Sequence, residues 1–243
     1  MNSHLTRDLR VAARSFLRTP RFTIPALLAL ALGIGSTSAI FSVVRGVMLR
    51  PLPYSNPDRI VVVWENNLTR NRPRNVIAPS NFVEWRERNR SFTHLGMATA
   101  TRLNFVLGGQ PEEVVGTTAS SDLFPVLGVA PALGRAYGPS EDVENNDRVI
   151  IVGHGFWRTR LGGRTDVLGT TINTNGIPRT LIGVMPEDFT LFGEKTDFLV
   201  PYGWTLAGLS KTPGRGSSFG VARLRDNVTF PHAESDMKAL MAQ

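Results

Sequence analysis

From Phe22 to Val44 the chain reads FTIPALLALALGIGSTSAIFSVV, 23 residues without a charged side chain. A helix of that length rises roughly 34 Å at about 1.5 Å per residue, enough to cross a hydrocarbon core of about 30 Å. A lone backbone in lipid must pair its own N–H and C=O groups, so the pattern predicts a membrane-spanning helix. Pro25 falls near its start, where the missing N–H would have had no partner anyway. Ahead of it, residues 4–18 place Leu5, Leu9, Ala12, Ala13, Phe16 and Leu17 near one helical face, with Arg7, Arg10, Arg14 and Arg18 around much of the rest. That spacing predicts a basic amphipathic helix at headgroup level, or simply a charged flank. The Thr19-Pro20 step separates the two segments.

Beyond the span the apolar runs become short. RIVVVWE (59–65) predicts a strand whose Ile-Val-Val-Val run suits a sheet buried on both faces. A polar, proline-interrupted loop follows to Pro79, and Ser80 reads as the N-cap of a helix through NFVEWRERN, with Phe82, Trp85 and Phe92 as its core anchors. MATATRLNFVLGG and EEVVGTTAS alternate with period two and predict paired strands bounded by Gly108, Gly109 and Pro111. SDLFPVL (121–127) reads as a short helix, Gly128–Gly134 as a tight turn, DRVIIVG (147–153) as a second buried strand and HGFWRTRL (154–161) as a helix. Asn175-Gly176 marks a hairpin between TTINT and PRTLIGVM. After Pro201, LAGLSKTPGRGSSFG reads as a loop, GVARLRD as an edge-like strand and PHAESDMKALMAQ as a helix. Mixed strand and helix in this order predict an α+β body. Its last helix has no cap, which predicts that the natural chain continues.

Charge sets the expected topology. Arg7, Arg10, Arg14, Arg18 and Arg21 precede the span against only Asp8, while Arg45 and Arg50 follow it. The positive-inside rule therefore predicts an N-terminus in the cytoplasm and a translocated body. The expected parts are a cytoplasmic basic helix (1–21), a transmembrane helix (22–49) and an extracytoplasmic domain (50–243). A cleaved signal peptide is the rival reading of the span, since Thr37 and Ala39 imitate a cleavage site. Its apolar core would run only about 7–15 residues, however, and here the run resumes through Phe41, Val43 and Val44. The formal net charge of +7 lies largely in this flank, which argues against a nucleic-acid partner. No cysteine is present, so disulfides and thiolate metal sites are excluded.

Candidate chemistry is sparse. The four histidines, His4, His94, His154 and His232, lie far apart in sequence. Gly153-His154-Gly155 lacks the serine of a nucleophile elbow, and neither a phosphate-binding loop nor a zinc-protease motif occurs. Glu141, Asp142, Glu144 and Asp147 could hold a cation, but beside Asn145, Asn146 and Pro139 they read better as a solvated loop. No cofactor, metal or catalytic residue is expected. Within the span, Gly33, Gly35, Ser36 and Ala39 form a small-residue patch that would let a second membrane helix approach closely.

The segments LRGVMLRPLPYSNPDRIV, PSNFVEWRERNRSF, SSDLFPVLGVAPALGRAY, VIIVGHGFWRTRLGG and LGTTINTNGIPRTLIGVMPEDF together resemble the MacB/FtsX-like ABC-transporter permeases. The duplicated orphan permease type is the subgroup they are most similar to. The resemblance implies a MacB-like periplasmic core domain in the bacterial inner membrane, with further transmembrane helices after it. It also implies a non-enzymatic subunit that passes motion from a cytoplasmic ABC ATPase to the periplasm for export or release of a substrate. Expected partners are the lipid bilayer, other permease copies, an ATPase and a periplasmic protein. Because the sequence carries none of the later helices, a piece of a longer permease is expected. The alternative is a single-pass anchored binding or scaffold domain, with an anchored hydrolase a distant third.

Overall fold

The computed structural model describes residues 20–48, 53–67, 72–203 and 218–241. The chain divides into two units, Met1–Pro51 and Leu52–Gln243. In the first, helix α1 (Pro20–Met48) contains Pro25 in its second turn. Its leucines and isoleucines are exposed all round, from Phe22 and Ile24 to Ile40 and Phe41. By length and composition this helix could cross a membrane. The basic segment 4–18 lies outside the described residues, as do residues 204–217, most of the loop expected after Pro201.

The second unit is the expected α+β body. Its strands are β1 (Ile60–Val63), β2 (Glu65–Asn67), β3 (Arg72–Asn75), β4 (Phe92–Leu107), β5 (Gln110–Ala119), β6 (Leu133–Gly134), β7 (Val149–Val152), β8 (Thr171–Thr174), β9 (Ile177–Val184), β10 (Phe198–Pro201) and β11 (Phe219–Leu224). Its helices are α2 (Pro79–Arg88), α3 (Leu123–Leu127), α4 (His154–Arg160) and α5 (Phe230–Met241). β4 is long enough to serve two assemblies. Its first half pairs antiparallel with β11, which pairs in turn with β1. Its second half pairs with β5 from Ala98 to Leu107. From there the hydrogen bonds pass through β10, β7, β9 and β8 and return to β4 at Phe105 and Val106. Six strands thus close a ring.

Three apolar clusters follow from strand alternation. Inside the ring, Phe105, Val114, Ile150, Val152, Leu181, Phe198 and Val200 meet, and Phe156 of α4 joins them. The Phe105 ring lies 5.1 Å from that of Phe198 and 5.3 Å from that of Phe156. Gly116 of β5 makes room for this trio, since a Cβ there would stand 2.5 Å from the Phe198 ring. The intervening residues Ala119, Ile151 and Leu199 point outward and pack with Leu123, Phe124 and Leu127 of α3 and with Val221. On the opposite face of β11 and β4, Ala222, Leu95 and Met97 pack under Phe82 and Trp85 of α2 and Ala233 and Met237 of α5.

Several local expectations change. α2 starts two residues earlier than expected, with Ala78 as N-cap and Pro79 at its first position, so Ser80 is not the cap. The Ala78 N–H donates to Glu65 Oε2 at 2.8 Å, so a carboxylate from a strand holds the backbone of the N-cap residue, and no side chain caps the helix. β1 is an edge strand with Val62 exposed rather than a strand buried on both faces. Conversely, β11, which reads as an edge, lies between β1 and β4. The polar stretch after β1 pairs as the β2–β3 hairpin instead of forming a loop. The Asn175-Gly176 hairpin is as expected, with φ of 53° and 81°.

Because Phe198 sits fully buried at the centre of the ring, Phe198→Ala is expected to lower unfolding stability by about 3–5 kcal/mol. Urea unfolding followed by circular dichroism measures this, and a midpoint equal to the parent's would count against the ring as a core.

Candidate functional site

After α1, the first described residues with long-range hydrogen bonds into the second unit are Tyr54, Ser55 and Arg59. The Ser55 N–H donates to Leu127 O at 3.1 Å and its hydroxyl donates to Gly128 O at 2.9 Å. Gly128 ends α3 with φ 65°. A side chain there would meet both the left-handed backbone and the Ser55 Cβ, 2.6 Å from where its own would stand. Arg223 of β11 closes the joint: Nε donates to Val126 O at 2.8 Å and Nη2 to Ser55 O at 2.7 Å. One guanidinium thus satisfies a carbonyl left orphaned at the helix end and the exit segment together.

Two further bolts flank it. Tyr54 Oη donates to Thr190 O at 2.6 Å and accepts the Phe192 N–H at 3.3 Å. Arg59 Nη2 donates to Leu224 O at 3.2 Å, and Nη1 donates to Asp226 O at 3.2 Å. Burial and the neighbouring Arg59 both push the Arg223 pKa down, while burial raises that of Tyr54. The sequence analysis missed all of these roles. The one available signal was the polar YSNPDR run directly after the span.

The acidic segment is solvated in part: Glu144, Asn145 and Asn146 are exposed, whereas Glu141, Asp142 and Asp147 have partners. Glu141 pairs with Arg135 through two contacts of 2.7 Å, which hold its carboxyl below the usual range. Asp142 accepts the Ser121 N–H at 2.8 Å and the Tyr202 N–H at 3.0 Å. Burial nonetheless pushes its pKa up. Asp147 lies 3.6 Å from the buried guanidinium of Arg179. Asp122, 2.9 Å from Arg86 and 3.6 Å from His94, continues this polar seam between α2 and α3. Its Oδ2 is shielded from solvent, and the Arg86 contact lacks hydrogen-bond geometry, so it is ionic only. Among the described residues no group of three His, Asp or Glu side chains could hold a metal ion.

On α1, nothing stands within 4 Å of a Cβ added at Gly33 or Gly35. The Thr37 and Ser36 hydroxyls donate back to Gly33 O at 2.8 and 3.2 Å, so the helix satisfies them itself. At about 100° per residue, Gly35, Ser36 and Ala39 share one face, with Gly33 about 60° beyond Ser36. Elsewhere, His154, Glu187, Lys195 and Asp197 line a groove of about 300 Å³ at the start of α4. Burial raises the Asp197 pKa, with Arg160 opposing and Glu112 adding to the shift. No nucleophile with a positioned base occupies that groove.

An apolar helix long enough to cross a membrane is thus followed by an α+β body. The chain belongs to the MacB-like periplasmic core domain family, which matches residues 23–240. It is similar to the periplasmic region of MacB from Actinobacillus actinomycetemcomitans, with TM-score 0.54 and 18% identity over 75% of this chain and 81% of that one. A domain described as that of a permease protein from Porphyromonas gingivalis gives TM-score 0.55 and 16% identity, covering 78% of this chain and 84% of that one. The extracellular domain of the noncanonic ABC-type transporter YknZ from Gram-positive bacteria gives 0.47 and 16%, covering 73% and 86%. At such identities the first two likenesses show the fold alone. No curated protein sequence matches the chain.

Burial also raises two tyrosines of the polar seam. Tyr137, donating to Ala119 O at 2.9 Å, stands well above its ordinary value of 10, and Tyr202 is pushed up to about 12. A raised phenol contributes stability that is complete below pH 10 and lost as pH rises through the folded pKa, about 12 for Tyr202. Tyr202→Phe is expected to flatten the fall in stability between those values by about 1.4 kcal/mol per pH unit. Urea midpoints across that window check it; an unchanged slope would refute the assignment.

Proposed function

We propose that this chain is the first membrane helix and extracytoplasmic core domain of an ABC-transporter-type permease, working as a non-enzymatic coupling part. Motion of the helix, driven by a cytoplasmic ATPase, reaches the domain through the Tyr54–Ser55–Arg59 joint and there drives export or release of a substrate. The observation that carries this reading is the joint itself. Within six residues of Met48, the last residue of α1, the chain begins a stretch bonded to α3, β11 and the 190–192 turn. A domain needing only a tether would be served by a free linker; bonds to three separate elements turn displacement of residues 54–59 into displacement of the domain. The N-terminus lies in the cytoplasm on this reading, as the arginine bias requires. Gly33, Gly35, Ser36 and Ala39 supply the face against which another permease helix packs.

The absence of native cysteine allows one labelled position to test both topology and coupling. Thr165→Cys, on an exposed turn, is expected to react with a membrane-impermeant maleimide in intact cells. In native membrane vesicles its fluorophore is expected to change emission on adding ATP, and the Tyr54→Phe/Arg223→Ala double variant is expected to lose that change while keeping its fold. Protection of Thr165→Cys in intact cells would reverse the topology. A parent protein silent to ATP would sink the coupling.

For the helix face, Gly35→Leu is expected to abolish energy transfer between differently labelled copies in lipid vesicles. Transfer as strong as the parent's would exclude that face as a contact between copies.

A further inference from the structure

β1 stands at one end of the larger sheet, with β11 as its one strand partner among the described residues. The outward N–H and C=O groups of such an edge can template another strand, and natural sheets guard them with a charged residue, a proline or a bulge. β1 carries none of these. It reads Ile60-Val61-Val62-Val63, and its register with β11 runs without a shift. The β2–β3 hairpin leaves the edge open as well. Asn75 pairs with Glu65, and Ile77 bridges Ser218, so the returning segment lies beside the start of β11 rather than outside β1. Val61 and Val63 turn to the cluster beneath α2 and α5, and Ile60 turns to the opposite one. Val62 shares the Ile60 face, and period two carries that face on to Trp64. These two side chains are 37% and 38% exposed.

The edge is complementary to itself. Antiparallel pairing about a two-fold axis through Val62 sets Val62 against Val62 of a second copy, Val61 against Val63, Ile60 against Trp64 and Arg59 against Glu65. Each of these pairings occurs twice except the first. The exposed Val62 and Trp64 then gain apolar cross-strand neighbours, and opposite charges meet at both ends. Arg59 keeps its bonds to Leu224 O and Asp226 O, and Glu65 keeps the Ala78 N–H, so the charges match without a new bond. Moving the axis to Val61 sets Arg59 against Val63, and moving it to Val63 sets Glu65 against Val61, which loses the match. We infer that β1 pairs antiparallel with β1 of a second copy of this chain, centred on Val62. Two larger sheets thereby become one. Pairing from Arg59 to Glu65 is a small contact of the weak class, so cross-linking rather than a stable dimer in solution reveals it. It needs neither the coupling reading nor the Gly35 face of α1.

Single cysteines read this register on the full chain in lipid vesicles, because the chain has no cysteine of its own. Facing α-carbons of an antiparallel pair stand about 4.5–5.5 Å apart, within disulfide reach. Under mild oxidation Val62→Cys is expected to give a disulfide-linked dimer severalfold faster than Trp64→Cys. Two copies of residue 64 would be displaced by about 13 Å along the strands, at about 3.3 Å per residue. A mixture of Trp64→Cys copies with Ile60→Cys copies of different tag length is expected to give the mixed dimer in preference to the Trp64→Cys homodimer. Near-ultraviolet circular dichroism checks that each variant keeps its fold. Absence of a dimer at 62 overturns the proposal. Equal rates at 62 and 64 do so too, since a contact made elsewhere in the chain would bring both near without a register. A fast dimer at 62 with no preference for the mixed 60–64 product also overturns it, because the edges would then cross rather than pair.

Discussion

Because β4 pairs with β11 through its first half and with β5 through its second, the helix-covered sheet and the closed ring cannot form independently. The strand changes partners at Ala98, which is fully buried and stands in register with both Phe219 and Ala119. Small residues gather at this crossing: Gly96 lets the backbone of Leu123 come to about van der Waals distance, so α3 seats directly on the strand. The seat of α3 decides where Gly128 turns, and with it where Ser55 is received. The pairing of one long strand therefore sets the geometry of the joint at Ser55.

The joint itself is built mainly from backbone carbonyls rather than from paired charges. Arg59 and Arg223 spend their donors on the ends of α3 and β11 and on Ser55. Neutral acceptors make such bonds less sensitive to salt than exposed ion pairs would be. Charged and polar side chains line a separate seam of Asp122, Arg86, Asp142 and Tyr202, between the α2 side and the α3 side of the sheet. There, burial raises the pKa of Asp142 despite two N–H donors and the nearby Arg86, so desolvation outweighs the favourable contacts. The domain thus separates its functions: carbonyl-bound arginines fix the exit segment, and a partly buried polar seam holds the layers in register.

Much of this architecture was legible in the order of residues. The uncharged run at 22–44, the Asn175-Gly176 hairpin, the Gly108-Gly109 turn and the helix of Phe82 and Trp85 each announce themselves through period or turn chemistry, because those signals are local. The errors arose where a partner distant in sequence intervened. Glu65 accepts the Ala78 N–H at the start of α2, where Ala78 rather than Ser80 is the N-cap. The GVARLRD strand reads as an edge because Arg223 and Arg225 are charged, yet Arg223 turns its guanidinium onto Ser55 and Val126, across 168 and 97 residues of chain. In the acidic loop, Glu144 is exposed as expected, but the partners of Asp142 and Asp147 were hidden because no sequence window includes Arg179, Tyr202 and Ser121 together.

Sequence by itself determined that this protein is an α+β body behind an apolar helix, and its phrasing pointed to the permease family before any fold was seen. Periodicity and the cost of unpaired backbone in lipid are enough for that, since both act within one element. Only the tertiary structure decided that six strands close on themselves, that β11 is internal, and that Tyr54, Ser55 and Arg59 are fixed rather than free. Those facts depend on which carbonyl faces which donor after distant segments have packed. The energy that selects them comes from burial shared among many residues, and no stretch of the chain carries it alone.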